Sequence, residues 1–112
     1  MARKKEPPVK VIFRIDHDNI VFALFPEIPG TNDPLTCSCY EHIGQHHSAH
    51  YDLCIRTSRP ATRAQYAPLA SELRSIGYNL VVKKRDARAA MYKARYAELN
   101  RWFQHRKAHR QG

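Results

Sequence analysis

The apolar run from Ile20 to Phe25 is the strongest constraint on what this chain can fold into. It is short, rich in β-branched and aromatic residues, and bounded by turn formers on one side and Pro26 on the other. Such a run fits a central strand covered on both faces. Upstream, Val9, Val11, Phe13 and Ile15 alternate with Lys10, Arg14 and Asp16, the pattern of a half-buried strand. His17, Asp18 and Asn19 lie between the two. Asn and Asp tolerate the positive φ of a tight hairpin, so the two strands are expected to pair antiparallel.

The following segments extend the pattern. Pro26, Pro29, Gly30, Asn32, Asp33 and Pro34 make a stiff loop that excludes helix. Leu35 to Ile43 predicts a third strand, with Cys37 and Cys39 on one face and Ser38, Tyr40 and His42 on the other. Residues 44–49 read as a loop. Tyr51, Leu53 and Ile55 then alternate with Asp52, Cys54 and Arg56, which predicts a fourth strand. Thr62 and Gln65 have capping-box spacing. Tyr66, Leu69, Ala70, Leu73 and Ile76 trace one apolar helix face, and Gly77 is placed to end it in a left-handed conformation. Pro68 removes one bond of that helix, which predicts a kink or a start nearer Gln65. Tyr78 to Lys84 predicts a fifth strand, and Asp86 to about His105 an alanine-rich helix. In that helix the spacing of Tyr96, Leu99 and Phe103 favours their burial and leaves Trp102 over.

The expected fold is therefore α+β: an antiparallel four-stranded meander, then helix, fifth strand and C-terminal basic helix, in two layers. The opposite sheet face is expected to be partly open and to carry Arg14, Asp52, Cys54 and Arg56. Residues 1–8 read as a flexible basic tail, 9–108 as one domain, and 109–112 as a disordered tail. At 112 residues and 43% hydrophobic, one ordinary core is enough to fold the chain. The basic start leads into no apolar run, which predicts no signal peptide. No apolar stretch reaches membrane-spanning length, so no membrane partner is expected. The three cysteines then predict free thiols and a cytoplasmic protein.

Charge points to a partner. Of a net +9, nearly all comes from residues 83–110, where ten cations face only Asp86 and Glu98. Lys83, Lys84, Arg85, Arg88, Lys93, Arg95, Arg101 and Arg106 are candidate phosphate contacts; Tyr92, Tyr96, Trp102 and Phe103 are candidate base-stacking rings, Trp102 foremost. The expected partner is single-stranded DNA or RNA, bound with little sequence preference by a non-enzymatic accessory protein. An acidic protein surface, such as that of a host nucleic-acid enzyme, is the alternative partner. An open sheet edge also allows a homodimer.

The stretch from Cys37 to Cys54 holds all three cysteines and four of the seven histidines. Cys37, Cys39, His42 and His46 are the candidate metal set, in the residue types zinc prefers, and a small metal-dependent enzyme using the His42–His50 loop is a second alternative function. Against it, Cys37 and Cys39 do not have the usual two-residue knuckle spacing, so no cofactor is expected. Cys39 or Cys54 with His42 or His50, oriented by Asp52, is a candidate nucleophile and base. Ser48 could replace the thiol. No catalytic motif of high specificity supports that pair. A plainer reading makes His42, Gly44, Gln45, His46 and His50 the edge of an ordered polar binding loop.

Five stretches carry a resemblance: residues 11–14 (Val-Ile-Phe-Arg), 23–29 (Ala-Leu-Phe-Pro-Glu-Ile-Pro), 41–46 (Glu-His-Ile-Gly-Gln-His), 59–62 (Arg-Pro-Ala-Thr) and 76–80 (Ile-Gly-Tyr-Asn-Leu). Their order and spacing resemble a family of small bacterial proteins without assigned activity, frequent on phages and other mobile elements. The resemblance spans roughly residues 9 to 85 and includes His42, Gly44, Gln45 and His46. It excludes the cysteines, His47 and the basic helix. It implies a fold and a mobile-element setting, not a mechanism.

Overall fold

A computed structural model describes residues 6–41, 46–85 and 88–111. Along the chain it forms β1 (Pro8–Asp16), β2 (Val21–Pro29), β3 (Thr36–Tyr40), β4 (His46–His50), α1 (Tyr51–Arg56), β5 (Ser58–Pro60), α2 (Arg63–Ser75), β6 (Asn79–Lys83) and α3 (Arg88–Gln111). The α+β class is as expected. The hairpin of β1 and β2 pairs Ile12 with Leu24 and Ile15 with Val21, and Asn19 adopts the positive φ of its turn.

The sheet runs β4-β3-β2-β1-β5, and β6 also pairs with β1. Two strands thus share one edge of β1. β5 takes residues Arg14 to Asp16 in antiparallel fashion, and β6 takes Pro8 to Ile12 in parallel.

Strand alternation sends two sets of side chains to two cores. On one face Val11, Phe13, Ala23, Phe25 and Tyr40 pack under Leu69, Ala70 and Leu73 of α2. On the other, Ile12, Phe22, Leu24, Cys37 and Cys39 pack under Tyr51 of α1 and Met91 of α3. The expected two-layer arrangement is corrected: α2 and α3 lie on opposite faces, and the sheet is the middle of three layers. The continuous apolar run in β2 is the sequence counterpart of this double covering. The face expected to be open is covered. Arg14 is buried there, its Nη2 donating to the carbonyls of Ile55 (2.9 Å) and Ser58 (2.7 Å).

The fourth strand is displaced from its expected place. It is His46–His50, largely within residues 44–49 read as a loop, while residues 51–56 form helix α1. Tyr51, Cys54 and Ile55 face the core at helical spacing, and Leu53 is exposed. His50 caps that helix, its Nδ1 accepting from the Leu53 amide at 3.2 Å. Over six residues the two periodicities overlap, and the cap decides between them.

α2 has the cap, the stop and the core residues Leu69, Ala70 and Leu73 that its sequence predicts, but it starts at Arg63 rather than nearer Gln65, and Ile76, expected on the apolar face, is exposed. Thr62 and Gln65 make both capping-box bonds. Gly77, at φ 114°, ends the helix, with its amide on Arg74 and that of Tyr78 on Leu73. Pro68 sits on the exposed side after the helix has begun at Arg63.

Candidate nucleic-acid interface

α3 presents the basic quarter of the chain, but its faces are not those expected. Met91 and Arg95 are its fully buried residues, with Tyr92, Leu99 and Trp102 partly buried. Tyr96 (53% exposed) and Phe103 (64%) lie outside. The buried stripe therefore runs through 91, 95, 99 and 102, and the expected burial of Tyr96 and Phe103 is corrected. The alternative stripe was hidden because an arginine occupies its centre.

Arg95 is also a correction as a phosphate contact. Its guanidinium is fully buried, donates to the Thr36 carbonyl at 3.0 Å and lies over the rings of Tyr92 (4.7 Å) and Tyr51 (5.7 Å). It anchors α3 to the sheet and cannot reach a ligand. Trp102 is half-buried, its Nε1 donating to Glu98 at 3.1 Å.

Lys93, Arg101 and Arg106 are exposed on α3, and Lys83, Lys84 and Arg85 precede it. Arg88 is paired with Asp52 at 2.9 Å, and Arg101 with Glu98. Exposed pairs of this kind are weak, so both guanidiniums can exchange onto a phosphate. Near the C-terminal half of the helix, Leu99, Asn100, Trp102, Phe103 and Arg106 meet Asn32 of the β2–β3 loop around a hollow of about 340 Å³. Among the described residues no carboxylate lines it. Its ingredients are two aromatic rings, one cation and two amides. Tyr96 lies two helical turns before Phe103, about 10 Å along the same outer face.

Lys83 and Lys84 do not join this surface. They line a groove with Arg63 at the start of α2, on the α2 side of the sheet. The basic quarter, contiguous in sequence, is divided between two places.

The polar loop falls partly outside the described residues, which omit His42, Gly44 and Gln45. His46 lies on β4 with its ring edge-on to Tyr40 and its Nε2 2.9 Å from the Tyr78 hydroxyl. His50 is the α1 cap and not a loop edge. These contacts hold structure together.

The thiol chemistry is excluded by position. Cys37 and Cys39 are buried free thiols, and burial pushes both up to about 12. Burial also raises Cys54. None is a ready thiolate at neutral pH. Asp52 is engaged by Arg88 and, among the described residues, orients no imidazole. The metal set fails on strand geometry: His46 pairs with Tyr40 and His47 with Cys39, so His46 and the two thiols point to opposite faces. Among the described residues no group of three ligating side chains converges.

No protein-family model, curated protein or solved structure matches the chain. Among the described residues no helix is long and apolar enough to cross a membrane.

Proposed function

We propose that this protein binds single-stranded nucleic acid through the outer surface of α3, without catalysis and with little base preference. One observation carries the reading: the hollow where Trp102, Phe103 and Arg106 meet Asn32 joins stacking rings to a cation, and the neighbouring acid, Glu98, is already engaged by Trp102 and Arg101. Lys93 and Tyr96 extend the same combination along the exposed helix. Rings accept any base because every base has a π face, and cations follow the backbone. Arg95 and the cysteines have no part in it.

Fluorescence anisotropy with labelled single-stranded DNA and RNA tests the reading. Binding at low salt should fall steeply as salt is raised. Phe103→Ala combined with Arg106→Glu should weaken it about tenfold, the loss of roughly one stacked base and one phosphate contact. Both side chains are exposed, so the thermal midpoint should not move. No binding at low salt overturns the reading. Capture of an acidic protein after nuclease treatment, with no nucleic-acid binding, would favour a protein partner for the same surface.

A further inference from the structure

A second groove opens where β5 and β6 meet. Both strands pair with the same edge of β1 but arrive from opposite ends, with Pro60 opposite Arg14 and Lys83 opposite Ile12. Their carboxyl ends therefore converge beside Phe13. From there the chain leaves β5 for α2 on one face of the sheet and β6 for α3 on the other. Two strand ends whose connections diverge to opposite faces leave a crevice between them, a relation akin to the switch point of open α/β sheets, although here the two strands meet head-on rather than lying parallel side by side. Here that crevice is a groove of about 540 Å³ lined by Phe13, Tyr66, Val82, Arg63, Lys83 and Lys84, with residues 60–62 closing one end.

Its chemistry is divided. The floor is apolar and aromatic: Phe13 stacks on Tyr66 with centroids 4.5 Å apart and planes within 10°, and Val82 lies beside them partly exposed. The rim holds three exposed cations and, among the described residues, no carboxylate. Among the described residues none of the three is in an ion pair. The capping box already uses the amides of Thr62 and Gln65, which leaves the first free amides of α2 at the same rim. A ligand that satisfies this groove needs a flat apolar body and a compact anionic group next to it. Inorganic phosphate satisfies only the rim, and an apolar ring only the floor.

We infer that the groove between α2 and the end of β6 is a binding site for a nucleotide, its base against Tyr66 and Val82 and its phosphate between Arg63, Lys83 and Lys84. The site is separate from the α3 surface and does not depend on nucleic-acid binding there. The nucleotide can be a free monophosphate or the 5′-phosphorylated end of a strand, since both present the same base and phosphate.

Amide resonances of isotopically labelled protein, followed during titration, decide the matter. A nucleoside monophosphate should shift Arg63, Tyr66, Val82 and Lys83 and saturate at a concentration at least about tenfold below that needed with inorganic phosphate or the unphosphorylated nucleoside. A Lys83→Glu/Lys84→Glu variant should weaken this at least about fivefold with an unchanged thermal midpoint, because both residues are exposed. The Phe103→Ala/Arg106→Glu variant should retain it, which separates this site from α3. A 5′-phosphorylated oligonucleotide that moves the same amides at lower concentration identifies a strand end; equal or weaker binding identifies the free nucleotide. No saturable shift, equal potency of inorganic phosphate, or shifts confined to residues 99–106 would overturn the inference.

Discussion

Arg95 shows how one residue can be misplaced by its type. In a segment of ten cations it reads as one more solvent-facing charge, yet it fills the core position between Met91 and Leu99. Among the described residues its Nε and Nη2 have no hydrogen-bond partner, and the faces of Tyr51 and Tyr92 take their place. Its alkyl stem and flat head act as an apolar body with one bond to Thr36. Arg95→Ala should therefore cost about 2–4 kcal/mol in chemical denaturation through the cavity it leaves. Arg95→Met, of similar volume, should stay within about 1.5 kcal/mol of the parent. Arg95→Glu should unfold the protein rather than act as a binding variant. If the alanine variant were as stable as the parent, the anchoring role would be wrong.

At the level of elements, what could be read depended on length. β1 and α2 were legible because each shows several periods of one pattern, and α2 carries both its start and stop signals in Thr62, Gln65 and Gly77; β2 was legible as a continuous apolar run, but residues 26–29, read as loop, continue it. α1 was not, because six residues satisfy a strand pattern and a helix pattern alike. The missed signals were Asp52 in its first turn, Arg56 in its last, and His50 as an unusual cap. β4 was not legible either. It is a polar edge strand, two histidines followed by Ser-Ala-His, held by pairing to β3 rather than by an apolar face. Polar edges of this kind resist pairing with other chains. The cap makes a test: His50→Ala should lower stability by about 1 kcal/mol, and His50→Asn should restore most of it. Equal loss in both would mean that His50 acts through something other than the Leu53 amide.

For the molecule as a whole, the charge excess was legible and its partition was not. Composition locates the cations in sequence, but only the divergence of the chain at β5 and β6 shows that Lys83 and Lys84 part company with α3. The candidate site was accordingly half visible: Trp102, Phe103 and Arg106 were identifiable, while the exposure of Phe103 and the part of Asn32 and Arg63 needed the packing. The three-layer arrangement also sets the response to pH. Cys37 and Cys39 lie in the core beneath α1 and α3, with folded values near 12 against about 9 when unfolded. Below about 9 both states hold the proton and the thiols give no pH dependence. Above it only the unfolded state loses its proton, so stability should fall as pH rises from about 9 toward 12. Denaturant midpoints across that range check this, and replacing both thiols by alanine should flatten the decline. A midpoint that stays level above pH 10 in the parent would contradict the burial of the thiols.

The shared edge of β1 also bears on the order in which the molecule assembles. The β1–β2 hairpin closes through a short turn, but each β1–β6 pair, from Pro8 with Asn79 to Ile12 with Lys83, closes a loop spanning most of the chain. Chain entropy opposes such long closures, and contacts that need them form late. The antiparallel strands and α2 can therefore fold first as a local nucleus. β6 then docks on the vacant half of β1, and α3, directly downstream of β6, closes over the second face. On this view the last step of folding completes the nucleotide groove and brings the basic helix into position together.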